Sequence, residues 1–282
     1  MPAALLVMVL FVGAEGLLAQ NDSPEPSTSG QNAESAPNEN GADSTGAEDA
    51  SLVSRGPLPP SDFLPSCLKL IGRRQTARAR QLLEPVVADH PAWAKARFYL
   101  GLTFHLEKRY ERAAELFKRS LELDPLYHTP RVYYGWCLYY LGDPEAAREM
   151  FESYLEVKPD DPDALFALGL MAFDADKVAS AQRLFERVIV LAQAGHDTKA
   201  EARGRARLAD VLMRLDMIKP ARAQLDRSIV LNPDNFEVYY KLSRVLERLG
   251  EREAAQAARL EHDEVRARII KNDSRDQLEA GE

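Results

Sequence analysis

Prolines spaced 34 residues apart at Pro91, Pro125 and Pro159, with a later one at Pro233, divide the middle of this chain into segments that superimpose. Between Ala94 and Pro159 two segments align without a gap. Leu100-Gly101 falls on Tyr134-Gly135, Phe104 on Leu138, Ala113 on Ala147, Phe117 on Phe151, and Ser120 on Tyr154. A looser copy upstream carries Cys67, Leu70, Ala79, Leu83 and Val86. A close copy downstream carries Leu165, Leu168-Gly169, Ala172, Ala181, Phe185 and Val188. A fifth, with Leu208-Ala209, Leu212, Ala221, Leu225 and Ser228, arrives about six residues late. A sixth has Tyr239, Leu242-Ser243, Leu246 and Ala255, then departs at Arg259 and His262. A period of this length marks repeats that bury their apolar faces by stacking on one another.

Helix packing accounts for the pattern. Leu, Phe and Tyr recur at helical spacing and fill the space around a crossing of two helices. A small residue at the eighth position (Gly101, Gly135, Gly169) and Ala at the twentieth (Ala113, Ala147, Ala181) let those helices approach closely. Proline cannot continue the second helix and sets the turn into the next repeat. Gly142-Asp143-Pro144 and Leu249-Gly250-Glu251 punctuate the turn within a repeat.

This arrangement resembles the tetratricopeptide-repeat family over roughly residues 60–271. The resemblance implies an all-α solenoid, a right-handed superhelix of antiparallel helix pairs whose first helices line a concave groove. Members usually bind peptides or proteins, and few carry out chemistry. A repeat domain of about six repeats is therefore expected over 59–271, with the first and last degenerate and a polar tail over 272–282.

Before the repeats, an apolar run from Ala3 to Val12 is followed by small residues at Val12-Gly13-Ala14 and Leu17-Leu18-Ala19, which reads as an export signal over 1–20, although no Lys or Arg precedes it. The run is far shorter than the roughly 20 residues of a membrane span. The chain is expected to be exported, periplasmic or envelope-associated, with no membrane span once the signal is removed. Residues 21–58 read as a disordered acidic linker, too poor in large apolar side chains to offset chain entropy. Between 21 and 50 there are seven acids and no Lys or Arg, against a whole-chain charge of −8, so the remainder is near neutral. That balance argues against nucleic acid as a partner.

Catalytic, metal and cofactor signatures are absent from the pattern of residues. Cys67 and Cys137 lie two repeats apart, too far for a disulfide, and read as buried free thiols. No His stands at ligand spacing from another His or a Cys. His90 and His128 fall in turns between repeats and are expected to be exposed. The chain is thus read as a non-enzyme without metal or cofactor.

In the family, positions 2, 5, 9, 12 and 13 of each first helix face the groove. Here the second to fourth repeats would present Phe98, Leu102, His105, Trp136, Tyr139, Tyr140, Phe166 and Phe173 as an aromatic floor. The fifth and sixth would present Arg203, Arg214, Arg244 and Arg248 as a charged wall. The Lys and Asn clamp of chaperone-binding members is missing, its places being taken by Phe98, Leu102, Val132 and Trp136. The partner implied is a protein or peptide segment with apolar side chains toward the third repeat and acids toward the fifth and sixth. A glycan or acyl-bearing ligand on the aromatic floor is the alternative, and the oligomeric state is left open.

Overall fold

The computed structural model describes residues 55–280, so the expected signal and nearly all of the acidic linker lie outside the described residues. Among those described are twelve helices and no strand. In chain order they are α1 (Phe63–Gly72), α2 (Thr76–Asp89), α3 (Ala94–Leu106), α4 (Tyr110–Leu123), α5 (Pro130–Tyr140) and α6 (Pro144–Val157), then α7 (Pro162–Asp174), α8 (Val178–Ala194), α9 (Thr198–Arg214), α10 (Ile218–Leu231), α11 (Phe236–Arg248) and α12 (Arg252–Ala280). Two compact units divide between Tyr133 and Tyr134, within α5. In the first, α1 packs on α2 and α3 on α4, while in the second α7 packs on α8, α9 on α10 and α11 on α12.

The small eighth residue of each first helix answers to a particular neighbour. A Cβ built on Gly101 would stand 2.6 Å from the ring of Phe117, one on Gly135 2.9 Å from that of Phe151, and one on Gly169 2.6 Å from that of Phe185. Glycine therefore makes room for an aromatic ring at position 24, rather than for the Ala at position 20. Where position 24 shrinks to Leu83 or Leu225, position 8 grows to Cys67 or Ala209, and all four are buried. Ala79, Ala113, Ala147, Ala181 and Ala221, at position 20, have no exposed surface, as the crossing requires. Buried serines at position 27 are satisfied within their own repeat: Ser120 Oγ donates to Ala94 O and Ser228 Oγ to Ala202 O, both at 2.8 Å. Cys67 and Cys137 are free and buried, as expected.

The turn within every repeat is the same, and only two of six use glycine. Arg74, Lys108, Gly142, Asp176, Asp216 and Gly250 all have positive φ. In each, the amide of this residue and the next reach back to the end of the first helix, as in Gly142 N to Tyr139 O at 3.2 Å and Asp143 N to Leu138 O at 2.9 Å. A non-glycine residue there costs of order 1–2 kcal/mol, which the paired carbonyls and the packing beneath offset.

The late arrival of the fifth repeat has a simple origin. α8 and α9 are each 17 residues long, whereas α6 and α10 have 14 and α7 has 13. His196, at φ +58°, joins α8 to α9 with the hydrogen bonds of a within-repeat turn: His196 N to Gln193 O at 3.2 Å and Asp197 N to Ala192 O at 2.8 Å. The extra residues thus lengthen both helices. A six-residue delay predicts a longer helix end or loop with weaker stacking; the longer helix ends are present, but the junction is closely packed. Val188, Ile189, Ala192, Ala200 and Ala202 are buried there, and a Cβ on Gly204 would stand 3.1 Å from Val188 and Ile189. The last helix runs on into the polar tail expected from 272, since α12 continues to Ala280. No Gly or Pro intervenes before Gly281 to stop it.

Gly101→Ala should lower stability by roughly 1–3 kcal/mol through overpacking against Phe117, less the helix-propensity gain of Ala, which is about 1 kcal/mol. In a Phe117→Leu background the same substitution should stabilise the protein. A double-mutant cycle by urea unfolding reads the change of sign. Ala147→Leu should lower the melting temperature by several degrees, and an unchanged melting curve would contradict the close crossing.

Candidate functional site

The first helices carry the residues expected to line a groove, and burial divides them sharply. In the first unit Phe98, Leu102 and His105 are all buried. Phe98 meets Tyr99, Tyr127 and Tyr133 edge-on at 5.4–5.5 Å. His105 stands edge-on to Tyr110 at 5.6 Å and Tyr133 at 5.8 Å, and burial pulls its pKa down to about 4. Its expected contact with a groove ligand is corrected to a place in the core. His90, expected to be exposed, is also buried, edge-on to Trp93.

In the second unit Trp136 is only 3% exposed, stacked on Tyr140 and edge-on to Phe151 at 5.4 Å. Phe166 is 1% exposed, with the Arg203 guanidinium 4.6 Å over its ring. These two are corrected from binding anchors to core. The physical reason is the wide apolar arc of each first helix: besides filling the crossing with its own partner, it is covered by the repeat that follows. Tyr139 and Phe173 are half-buried, and Tyr140 reaches solvent. The Arg214 guanidinium covers the Phe173 ring at 5.0 Å.

The arginine wall is not an open set of charges. Arg203 pairs with Asp163, Arg214 with Asp176 and Arg248 with Asp216, each arginine reaching an acid of the preceding repeat. Arg248 also donates to Met213 O at 3.2 Å. Lys241 pairs with Asp210, which Arg207 also contacts at 3.3 Å, and the Tyr139 hydroxyl donates to Asp174. Burial pushes the Tyr139 hydroxyl upward, and its bond to Asp174 adds to the shift. Burial lowers the Lys241 ammonium, while Asp210 works the other way. Arg244 differs from the other three: it is exposed and forms no ion pair with any described residue. The ladder escaped a reading of each repeat by itself. Its signal lies in columns, with Arg214 and Arg248 at position 13 and Asp176 and Asp216 at position 15.

Among the described residues no group of three His, Cys, Asp or Glu could hold a metal ion. Burial raises the Cys67 thiol to about 11, which keeps it protonated and poorly nucleophilic at neutral pH. What remains is a surface of fixed charges with tyrosines at its edge.

Tetratricopeptide-repeat family models match residues 69–128 and 104–170. Over 81 residues the chain is 32% identical to the CTR9 homolog of Arabidopsis thaliana, covering 28% of this chain and 7% of that protein. Among solved structures, a chain of the APC/C hetero-tetramer Cut9–Hcn1 aligns with TM-score 0.66 and 19% identity over 72% of this chain and 39% of its own length. PilF of Pseudomonas aeruginosa aligns with TM-score 0.59 and 22% identity over 73% of this chain and 96% of that one. The chain therefore spans well under two thirds of the CTR9 homolog and of the matched chain in the Cut9–Hcn1 structure, and the structural likenesses concern the fold. The chain thus carries tetratricopeptide repeats over residues 69–170 within an all-α solenoid, and repeats of this kind serve protein–protein interaction.

His105 supplies a pH test of the buried site. Its folded pKa lies below the ordinary 6.5, so at acid pH the unfolded chain binds the proton first, and stability falls as pH drops from about 6.5 toward 4. Between about pH 7 and pH 5 the loss should reach about 2 kcal/mol. His105→Phe keeps the ring contacts and removes the titration, so its denaturant midpoint should lose correspondingly less over that interval.

Proposed function

We propose that this chain is a non-catalytic adaptor whose first helices in the second unit receive an extended segment of a partner protein. The observation that carries the reading is the exposure of Tyr140 and Tyr240, 36% and 52%, on helices whose neighbouring charges are already held in place. Such a surface offers amphipathic anchors with little further ordering to do. Similarity to a chain from a hetero-tetrameric assembly is consistent with a role in complexes. The partner chemistry follows from what this surface presents. An apolar or aromatic side chain meets Tyr139 and Tyr140, and an acid meets Arg244. Arg203, Arg214 and Arg248 hold the register between repeats. A glycan or acyl ligand is less well supported, because the burial of Phe98, Trp136 and Phe166 leaves no continuous aromatic floor.

Panning a displayed peptide library on the full chain tests this. The enriched peptide should lose about tenfold in affinity on Tyr140→Ala or Tyr240→Ala, which is about 1.4 kcal/mol. Arg244→Ala should weaken binding chiefly at low salt. Peptides that bind both tyrosine variants as well as the wild type would move the recognition surface elsewhere.

Export to a bacterial periplasm or envelope is proposed on the apolar run from Ala3 to Val12 and the small residues after it. Among the described residues no helix is long and apolar enough to cross a membrane. Intact mass of the protein from its native host should show the loss of the first 14–19 residues. A cytosolic species retaining Met1 through Ala19 would refute export.

A further inference from the structure

The charge of −8 conceals a division along the chain. Residues 1–54 carry eight acids and no Lys or Arg. Residues 55–133 carry 14 Lys and Arg against eight Asp and Glu, a balance of +6, and residues 134–282 carry 22 against 28, a balance of −6. Subtracting the acidic segment from the whole chain averages the two units to neutrality and hides a basic one.

The positive excess of the first unit gathers on one edge. The turn from α1 into α2 and the start of α2 supply Arg73, Arg74, Arg78 and Arg80, and the turn from α3 into α4 and the start of α4 supply Lys108, Arg109 and Arg112. The two turns touch. Arg80 donates to Glu107 at 2.6 Å, and Arg109 lies 3.9 Å from the same carboxylate. The guanidiniums of Arg80 and Arg109 stand 5.2 and 4.6 Å over the Phe104 ring. Over residues 73–80 and 107–112 there are seven basic side chains and two acidic ones, with Glu84 and Glu115 just outside these stretches lying 4.0 Å from Arg80 and 2.6 Å from Arg112, and all the basic ones except Arg80 are exposed. The corresponding turns of the second unit carry Asp143, Asp176, Asp216 and Glu251 instead.

We propose that the acidic segment of this same chain, residues 21–50, docks on this basic edge. Charge complementarity is one argument: seven acids without a single Lys or Arg face a local excess of positive charge. Geometry is the other. The segment joins the fold at Arg55, whose amide donates to Asp89 O at 2.7 Å, at the end of α2. The basic edge begins at the opposite end of that 14-residue helix, about 20 Å away. Glu39 and Asp43 precede Arg55 by 16 and 12 residues, and even a coil of that length spans about 20 Å. A tethered segment acts at an effective concentration of order millimolar, so weak contacts suffice to hold it. Docking covers the edge against other anions, and salt releases it.

Zero-length carbodiimide cross-linking of the full chain, read by mass spectrometry, tests the proposal. Lys108 should join to acids between Glu34 and Asp49, and the yield should fall several-fold at about 0.5 M NaCl, where screening is short-ranged. It should fall as far in the doubly reversed Arg74→Glu, Arg109→Glu variant, with circular dichroism confirming the fold. An equal mixture of light and heavy-isotope chains distinguishes docking within one chain from docking between copies. Absence of Lys108 cross-links, equal cross-linking of Lys177 and Lys219 in the second unit, or predominantly mixed-isotope products would each overturn it.

Discussion

The contact between the eighth residue of a first helix and the residue sixteen positions later sets how closely each helix pair can come. Phe117, Phe151 and Phe185 are fully buried because Gly101, Gly135 and Gly169 leave no Cβ in their path. The combined size of the two positions stays nearly constant, since Cys or Ala replaces Gly where Leu replaces Phe. Close-packed interiors tolerate such compensated exchanges far better than single ones. The end of the array follows from the same rule. In the last pair Ser243 is buried at position 8, but position 24 is Arg259, which is exposed and paired with Glu247. The crossing is left to smaller apolar residues, Leu246, Ala255 and Ala258, with no large apolar side chain at position 24, and α12 runs on as a longer helix.

A second constraint is the left-handed residue between helices. Two of its six occurrences within repeats announce themselves as glycine, and the other four are Arg74, Lys108, Asp176 and Asp216. At the junction of the fourth and fifth repeats His196 takes the same conformation in place of a proline turn. The six-residue delay thus adds packed helix on both sides of one more turn of a type the chain already uses. The junction that looks weakest in sequence is closely packed.

The periodicity made the fold legible, because proline spacing and the Gly and Ala columns report directly on helix crossings. The pairing of helices and the buried thiols followed from it. The accessible face was much less legible. A family register assigns Phe98, Leu102, His105, Trp136 and Phe166 to a groove by angle alone, whereas exposure depends on what the next repeat lays over them. Phe166 is covered by Arg203 from 37 residues away, and no single-helix pattern encodes that. The arginines were misread for the same reason: residues such as Arg214 and Asp176 become partners only when consecutive repeats are aligned as columns.

The ion pairs that result are partly exposed, and such pairs contribute little stability, about 0–1 kcal/mol each. Their effect lies in selection. A partner carboxylate approaching Arg214 or Arg248 must displace Asp176 or Asp216 and gains only the difference between two similar pairings. At Arg244 no ion pair with a described residue has to be broken first. On the proposed reading, the charge that discriminates between partners is the one of these four arginines that forms no ion pair with a described residue, and recognition rests on it and on the exposed tyrosines.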